Sequence, residues 1–186
     1  MNYKSKRTLK KLWKFIWYDD SWLSWILNIL LAFLLVKFII YPGFGLVLGT
    51  DFPVVAVVSS SMEHNNNFDL WWKDNRDYYG KRGFTEEQFQ NFRFHNGFNK
   101  GDIMVLTKAG EVEVGDVIIY NNFKYEYPII HRAIGINPII TKGDNNFKED
   151  NENINKDMIV GKAVLRIPLL GWIKIWFTEL ITLIGF

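Results

Sequence analysis

Apolar residues are concentrated in one long run near the start of the chain. The run from Trp22 to Tyr41 has about 20 residues, so as a helix it would be about 30 Å long and could cross a bilayer core. Its polar members are Ser24, Asn28 and Lys37, and Lys37 lies close enough to one end to reach the headgroups. No small-x-small cleavage site follows the run. We therefore predict a retained transmembrane helix over 22–41 rather than a cleaved signal sequence.

Positive charge is concentrated before this run, where no acidic residue precedes Asp19. The positive-inside rule therefore predicts a single-pass protein of the cell membrane, with residues 1–21 in the cytoplasm and a domain at 49–186 on the extracytoplasmic side. A nucleic-acid binder would instead spread its basic residues over a folded face, so we expect contact with membrane lipid and none with nucleic acid. The basic residues are Lys4, Lys6, Arg7, Lys10, Lys11 and Lys14.

The remaining chain is predicted to be mainly β, with an antiparallel sheet or a barrel-like domain. From Gly49 to Ile167, short β-branched runs alternate with turns rich in glycine, asparagine and aspartate. The run Val54–Val58 has no polar alternation, so we expect it to be buried on both faces. Further strands are predicted at Ile103–Leu106, Val117–Tyr120, Ile129–Ile136 and Met158–Leu165.

Two segments depart from the strand pattern. Residues 64–100 are polar and aromatic and are interpreted as an insertion, in which a capping box at Thr85–Gln88 opens a short helix to about Phe94. Its Trp71-Trp72 and Tyr78-Tyr79 pairs could touch the membrane or cover a substrate, but a small core of the insertion is favoured.

Residues 171–186 are apolar but include Lys174 and Glu179, and they are too few for an ordinary membrane span. We predict a short C-terminal amphipathic helix that lies in the membrane interface or packs on the domain.

The chain has no cysteine, which excludes disulfides, thiolate metal sites and cysteine nucleophiles. Its three histidines are scattered, so no metal site and no cofactor is expected. Serines at 59–61 follow the Val54–Val58 run and could supply a nucleophile, although serines after a strand are often a solvated turn. His131 lies within a predicted strand and could be a base or a core histidine.

The order of the motifs is more informative than any one of them. The sequence contains Ser-Met-Glu (61–63), Gly-Asp-Val-Ile-Ile-Tyr (115–120), Ile-Ile-His-Arg (129–132), Thr-Lys-Gly-Asp-Asn-Asn (141–146) and Ile-Pro-Leu-Leu-Gly-Trp (167–172). This series resembles the type I signal peptidases. A histidine before the arginine, where the bacterial enzymes have lysine, resembles the archaeal and endoplasmic-reticulum branch.

The resemblance implies a membrane-anchored serine endopeptidase, signal peptidase I, that cleaves exported preproteins after small residues. It implies Ser61 as the nucleophile, His131 as the general base, Asp150 as the catalytic acid and Asp144 as a supporting aspartate. The Ser59 hydroxyl and the N–H of Ser61 would form the oxyanion hole. The implied partners are preprotein signal peptides and the secretion translocon.

Two features differ from the family pattern: His64 stands where the family commonly has a proline, and the insertion is long. His64 is close to Ser61 in sequence but is not favoured as its base. The alternatives are a non-catalytic, membrane-anchored β-domain for binding or assembly, and a self-cleaving serine–lysine regulator of related fold. The regulator would need a lysine base and usually has a DNA-binding headpiece, whereas this chain begins with an apolar span.

Overall fold

A computed structural model describes residues 3–65, 67–122, 124–125, 127–150 and 154–185. Residues 1–2 and Phe186, which belong to the predicted terminal segments, lie outside this set. The chain divides into two compact units, residues 1–47 and 48–186.

The first unit contains a helix that was not predicted and the expected apolar one. Helix α1 spans Tyr3–Tyr18, and α2 begins at Trp22 after Ser21, whose side chain accepts a hydrogen bond from the Ser24 N–H. The Ser24 hydroxyl donates to the Phe15 carbonyl over 2.7 Å, and the Asn28 amide donates to the Ile16 carbonyl over 2.9 Å. Ser24 and Asn28 therefore join α2 to α1.

The apolar helix is longer than the predicted 22–41. Helix α2 (Trp22–Leu35) continues through a π-helical turn, Val36–Ile40, into α3 (Tyr41–Leu48), so 27 residues form one helix that could span a membrane. The π turn changes the hydrogen-bond spacing directly before Pro42: the Tyr41 N–H bonds to the Val36 carbonyl. A local change of this kind lets a helix continue past a proline.

The second unit is built on a six-stranded antiparallel sheet, which confirms the predicted fold class. The strands are β1 Val54–Ala56, β2 Ile103–Thr107, β3 Val117–Tyr120, β4 Ile129–Ile136, β5 Ile139–Lys142 and β6 Ile159–Ile167. Their order in the sheet is β1-β2-β6-β3-β4-β5. Strand β5 was not predicted, and the other strands fall within or close to predicted runs.

The prediction that Val54–Val58 is buried on both faces is wrong. Residues Val54–Ala56 are only half-buried, and Val58 is 54% exposed. The reason is that β1 is an edge strand with β2 as its partner. The fully buried strand is β3, at the centre of the sheet, where alternate residues Val117 and Ile119 contact one core cluster and Ile118 contacts another.

The insertion contains helices α4 (Phe68–Gly80) and α5 (Glu86–Gln90). The capping box at Thr85 is present, but α5 ends at Gln90 rather than near Phe94. The aromatic pairs contribute to a small core, as interpreted from the sequence, and this core packs on the sheet through Ile134 of β4. Its buried residues are Phe68, Trp71, Trp72, Tyr79, Phe89 and Ile134.

The chain ends in helix α6 (Trp172–Ile184), so the predicted C-terminal helix is present. Ile175 is buried, whereas Trp176 and Phe177 are each 63% exposed. Gly101, at φ 89°, lies under Trp172, where a Cβ would come within 2.0 Å of the indole nitrogen. Contact of this exposed apolar helix with a membrane stays a prediction.

Candidate active site

Ser61 lies in the turn that follows β1, and contacts of its carbonyl and of the next residue fix this turn in place. Its carbonyl accepts a hydrogen bond from the Asn145 N–H over 2.8 Å. The next side chain, Met62, is 1% exposed in the main core, and its sulfur is 3.3 Å from the Asp144 N–H. The turn is thereby attached both to the core and to residues 143–150, which we call the acidic loop.

The predicted nucleophile and base meet in space. The hydroxyl oxygen of Ser61 is 3.1 Å from Nε2 of His131, although the two residues are 70 positions apart. Strand β4 carries His131, and the ring's other nitrogen, Nδ1, is 2.6 Å from the Asp150 carboxylate. With the proton on Nδ1, the ring donates to Asp150 and accepts from the serine hydroxyl, which is the arrangement a general base requires.

Asp150 is held by two residues to which the sequence analysis assigned no role. The Thr141 hydroxyl donates to Oδ2 of Asp150 over 2.6 Å, and the Tyr120 hydroxyl donates to the same oxygen over 3.0 Å. Burial would raise the pKa of Asp150, but the hydrogen bond and charge of His131, with the two hydroxyl bonds, lower it overall. The carboxylate is therefore ionised at neutral pH. Tyr120 and Thr141 lie within the 115–120 and 141–146 motifs, but a tyrosine or threonine in a sequence does not by itself indicate contact with a distant carboxylate.

Position 143 requires glycine because the chain passes close to His131 and Ser61 there. A Cβ at this position would lie 2.8 Å from Nε2 of His131 and 2.8 Å from the Ser61 carbonyl oxygen. In the sequence, Gly143 is only one member of the 141–146 motif, because crowding by distant residues has no local signal.

Asp144 lies behind the site, in a fully buried ion-pair cluster. Arg132 donates to its carboxylate through Nε over 2.9 Å and through a terminal nitrogen over 2.7 Å, and His64 Nε2 is 3.0 Å away. Burial would raise the pKa of Asp144, but the Arg132 charge and the hydrogen bonds from His64 and Arg132 lower it well below its usual range. The supporting role of Asp144 stays a prediction.

His64 is part of this buried cluster and not a partner of Ser61. Its ring stacks on Trp71 at 3.8 Å between centroids, and burial is the main cause that lowers its pKa. A neutral ring that donates through Nε2 to Asp144 fits this environment. His95, the third histidine, packs edge-on against Phe68 in the insertion.

Ser59 lies beside the predicted nucleophile, Ser61, with 3.2 Å between the two hydroxyl oxygens. The oxyanion role itself stays a prediction. Among the residues that the structure describes, no group of three or more His, Cys, Asp or Glu side chains is arranged to hold a metal ion.

An open groove of about 680 Å³ runs past these residues. Edge strand β1 contributes Ala56 to its wall, followed by exposed Val58. The lining also includes Tyr125 and Tyr127, which are 62% and 60% exposed. The remaining lining residues are Ser59, Ser61, Asn122, Lys124, Pro128, Ile129, Ile130, His131, Asn146, Glu149 and Asp150.

The chain is similar over most of its length to several proteins that share one name. No family model matches the chain. A signal peptidase complex catalytic subunit SEC11 from Lachancea thermotolerans is 29% identical over 174 residues, which are 84% of this chain and 84% of that protein. The corresponding subunit of Leptosphaeria maculans is 28% identical over 170 residues, 83% of this chain and 79% of that protein.

A third relative, the SEC11 subunit of Chaetomium globosum, is 26% identical over 158 residues, 76% of this chain and 73% of that protein. These relatives are eukaryotic, so the archaeal side of the predicted branch has no support from them. The resemblance found in the motifs is confirmed over most of the chain. Over most of its length, this chain is similar to proteins named as catalytic subunits of the signal peptidase complex.

Proposed function

We propose that the chain is a membrane-anchored serine endopeptidase that removes signal peptides from exported preproteins. One observation carries the proposal: the hydrogen-bonded series from Ser61 through His131 to Asp150, which opens onto the groove. The relatives are named as catalytic subunits of a signal peptidase complex, which supports peptide cleavage as the reaction. By analogy with them, further subunits are proposed as partners.

Acylation would begin when the Ser61 oxygen attacks the carbonyl carbon of the scissile peptide bond. His131 takes the hydroxyl proton at Nε2, and the Asp150 carboxylate stabilises the resulting imidazolium through Nδ1–H. The tetrahedral intermediate then expels the amine, which receives the same proton from Nε2. The leaving amine is the new N-terminus of the mature protein.

The developing oxyanion needs hydrogen-bond donors placed before the reaction starts. The Ser59 hydroxyl and the backbone N–H of Ser61 are proposed for this role, since the Ser59 oxygen is 3.2 Å from the nucleophile. Water activated by His131 would then hydrolyse the acyl-enzyme, releasing the signal peptide and regenerating Ser61.

The substrate is proposed to bind in extended form along the free edge of β1. An edge strand offers unpaired main-chain groups, so a peptide can add as a further strand, with alternate side chains facing the groove. Cleavage after small residues follows the family resemblance. Ala56 and Val58 at the wall would contact such side chains.

The apolar helix Trp22–Leu48 is proposed as the anchor, with the basic N-terminal segment in the cytoplasm and the domain extracytoplasmic. This orientation would put the groove on the side of the membrane on which signal peptides emerge, with lipid and the translocon proposed as partners.

The test is cleavage of a preprotein by the detergent-solubilised full chain, with sequencing of the new N-terminus. We expect Ser61→Ala to abolish cleavage and Ser60→Ala, a matched change at an exposed neighbour, to retain it. Labelling with a fluorophosphonate should depend on Ser61 in the same way. A wild-type chain that neither cleaves nor labels would favour the non-catalytic binding module instead.

A further inference from the structure

The inserted helices contact the start of the acidic loop. The indole N–H of Trp71 donates to the backbone oxygen of Asp144 over 3.2 Å, and the His64 ring, which stacks on Trp71, donates to the carboxylate of Asp144 over 3.0 Å. Both contacts are buried. The insertion thus provides one side of the environment of Asp144.

The insertion also contacts the end of the acidic loop. The Tyr78 hydroxyl donates to the Glu149 carboxylate over 3.2 Å, and the Arg82 guanidinium pairs with the same carboxylate while lying 4.1 Å from the centroid of the Tyr78 ring. Glu149 directly precedes Asp150. This ion pair is about one-third exposed, so it contributes little to stability, but it restricts where the neighbouring residue can lie.

Lys142 joins the loop backbone to the same aromatic cluster. Its buried ammonium donates to the carbonyl oxygens of Gly143 and Asp144 over 3.1 and 3.0 Å. It also lies 4.9 and 5.0 Å from the ring centroids of Tyr78 and Tyr79. Burial lowers the pKa of Lys142 to about 8. The loop is therefore fixed to the insertion along its backbone as well as at its ends.

We infer that the insertion positions the acidic loop for the reaction: Trp71 and Arg82 hold its two ends so that the Asp150 carboxylate stays 2.6 Å from Nδ1 of His131. These are positioning residues, which act through Asp150 and touch no substrate. The inference rests on the proposed function. Its physical basis is that a displacement of about 1 Å in a catalytic group can lower the rate by about a hundredfold.

A pair of tryptophans provides a matched test. Trp71→Phe removes the indole donor to Asp144 but keeps an aromatic ring in the cluster. Trp72→Phe makes the same change at the next residue. Among the described residues, the Trp72 ring contacts other aromatic side chains of the insertion, such as Phe68, Tyr79 and Phe89. We expect Trp71→Phe to lower kcat about tenfold with KM unchanged, and Trp72→Phe to alter kcat by less than about twofold.

Coupling to Asp150 distinguishes positioning from general destabilisation. The rate of fluorophosphonate labelling is measured for Trp71→Phe in the wild-type and Asp150→Asn backgrounds, with the melting temperature of each variant. If Trp71 acts through Asp150, its substitution should slow labelling in the wild type but alter it by less than about twofold in Asp150→Asn. Equal effects in both backgrounds, or equal kcat for the two phenylalanine variants, would overturn the inference.

A second pair decides the matter if Trp71→Phe does not fold. Arg82→Gln removes the exposed contact to Glu149, and Arg76→Gln removes the same charge from a side chain that is 65% exposed. We expect only Arg82→Gln to lower kcat, by about threefold or more, with an unchanged melting temperature. If Arg82→Gln and Arg76→Gln have identical kcat values, the inference is overturned. The proposed function still stands in that case, provided that cleavage depends on Ser61. Cleavage by Ser61→Ala would instead refute the proposed function and this inference with it.

Discussion

Replacing Asp150 with asparagine changes one hydrogen-bond acceptor at the centre of the site. Oδ2 of Asp150 accepts from His131 Nδ1, Thr141 and Tyr120, over 2.6, 2.6 and 3.0 Å. In asparagine one carboxylate oxygen becomes an amide nitrogen, and the negative charge that would stabilise the imidazolium is lost. When the amide nitrogen occupies the Oδ2 position, it faces Nδ1 of His131. Because that nitrogen is a donor, the His131 proton is displaced to Nε2, where it faces Ser61. The ring can then no longer accept the serine proton.

The magnitude follows from the loss of the carboxylate charge and, in that orientation of the amide, of the correct tautomer. Comparable sites in which the orienting aspartate becomes asparagine lose about 10⁴ in kcat, equivalent to about 5.5 kcal/mol. We expect Asp150→Asn to lower kcat by about 10³–10⁴ with a small change in KM. Stability should fall less, because Asp150 remains partly accessible to solvent.

Asp144→Asn provides the contrast. This substitution leaves buried Arg132 without its charged partner, which in other proteins costs about 3–5 kcal/mol of folding free energy. Preprotein cleavage and urea unfolding are measured on both variants. We expect Asp150→Asn to lose more turnover and Asp144→Asn to lose more stability. Equal losses of kcat in two folded variants would refute separate roles for the two aspartates.

Three further predictions use the same reasoning. Ser59→Ala should cost about 2.7–4 kcal/mol of transition-state stabilisation, measured as kcat/KM; a normal value would exclude an oxyanion role. The pKa values of His64 and Asp144 are lowered in the folded protein, so unfolding takes up protons at low pH. The free energy of unfolding should therefore fall as the pH is lowered, first through the range in which an unfolded histidine protonates, because of His64, and then below about pH 4, because of Asp144. Urea titrations at several pH values test this, and a pH-independent midpoint would contradict it. In sealed vesicles with the domain outward, added protease should digest residues after 48 and spare the basic segment; the opposite pattern would reverse the topology.

Patterns with short range in the chain were predictable from the sequence. The apolar helix, the capping box at Thr85 and most of the strands follow from side-chain periodicity and local hydrogen bonding, which depend on residues a few positions apart. The proposed site residues came from the resemblance of the motifs, not from periodicity. From the pattern alone, Ser61 could also belong to a solvated turn, and His131 could also be a core histidine.

The tertiary structure decided which of these residues meet. Ser61 and His131 are 70 positions apart, and His64 and Asp144 are 80 apart, so their contacts depend on strand order and on how the insertion packs. Burial of Val54–Val58 was mispredicted for the same reason: an apolar run is compatible with a central or an edge strand, and only the sheet order places β1 at the edge. Local sequence determines which elements form, whereas long-range packing determines which side chains share a site.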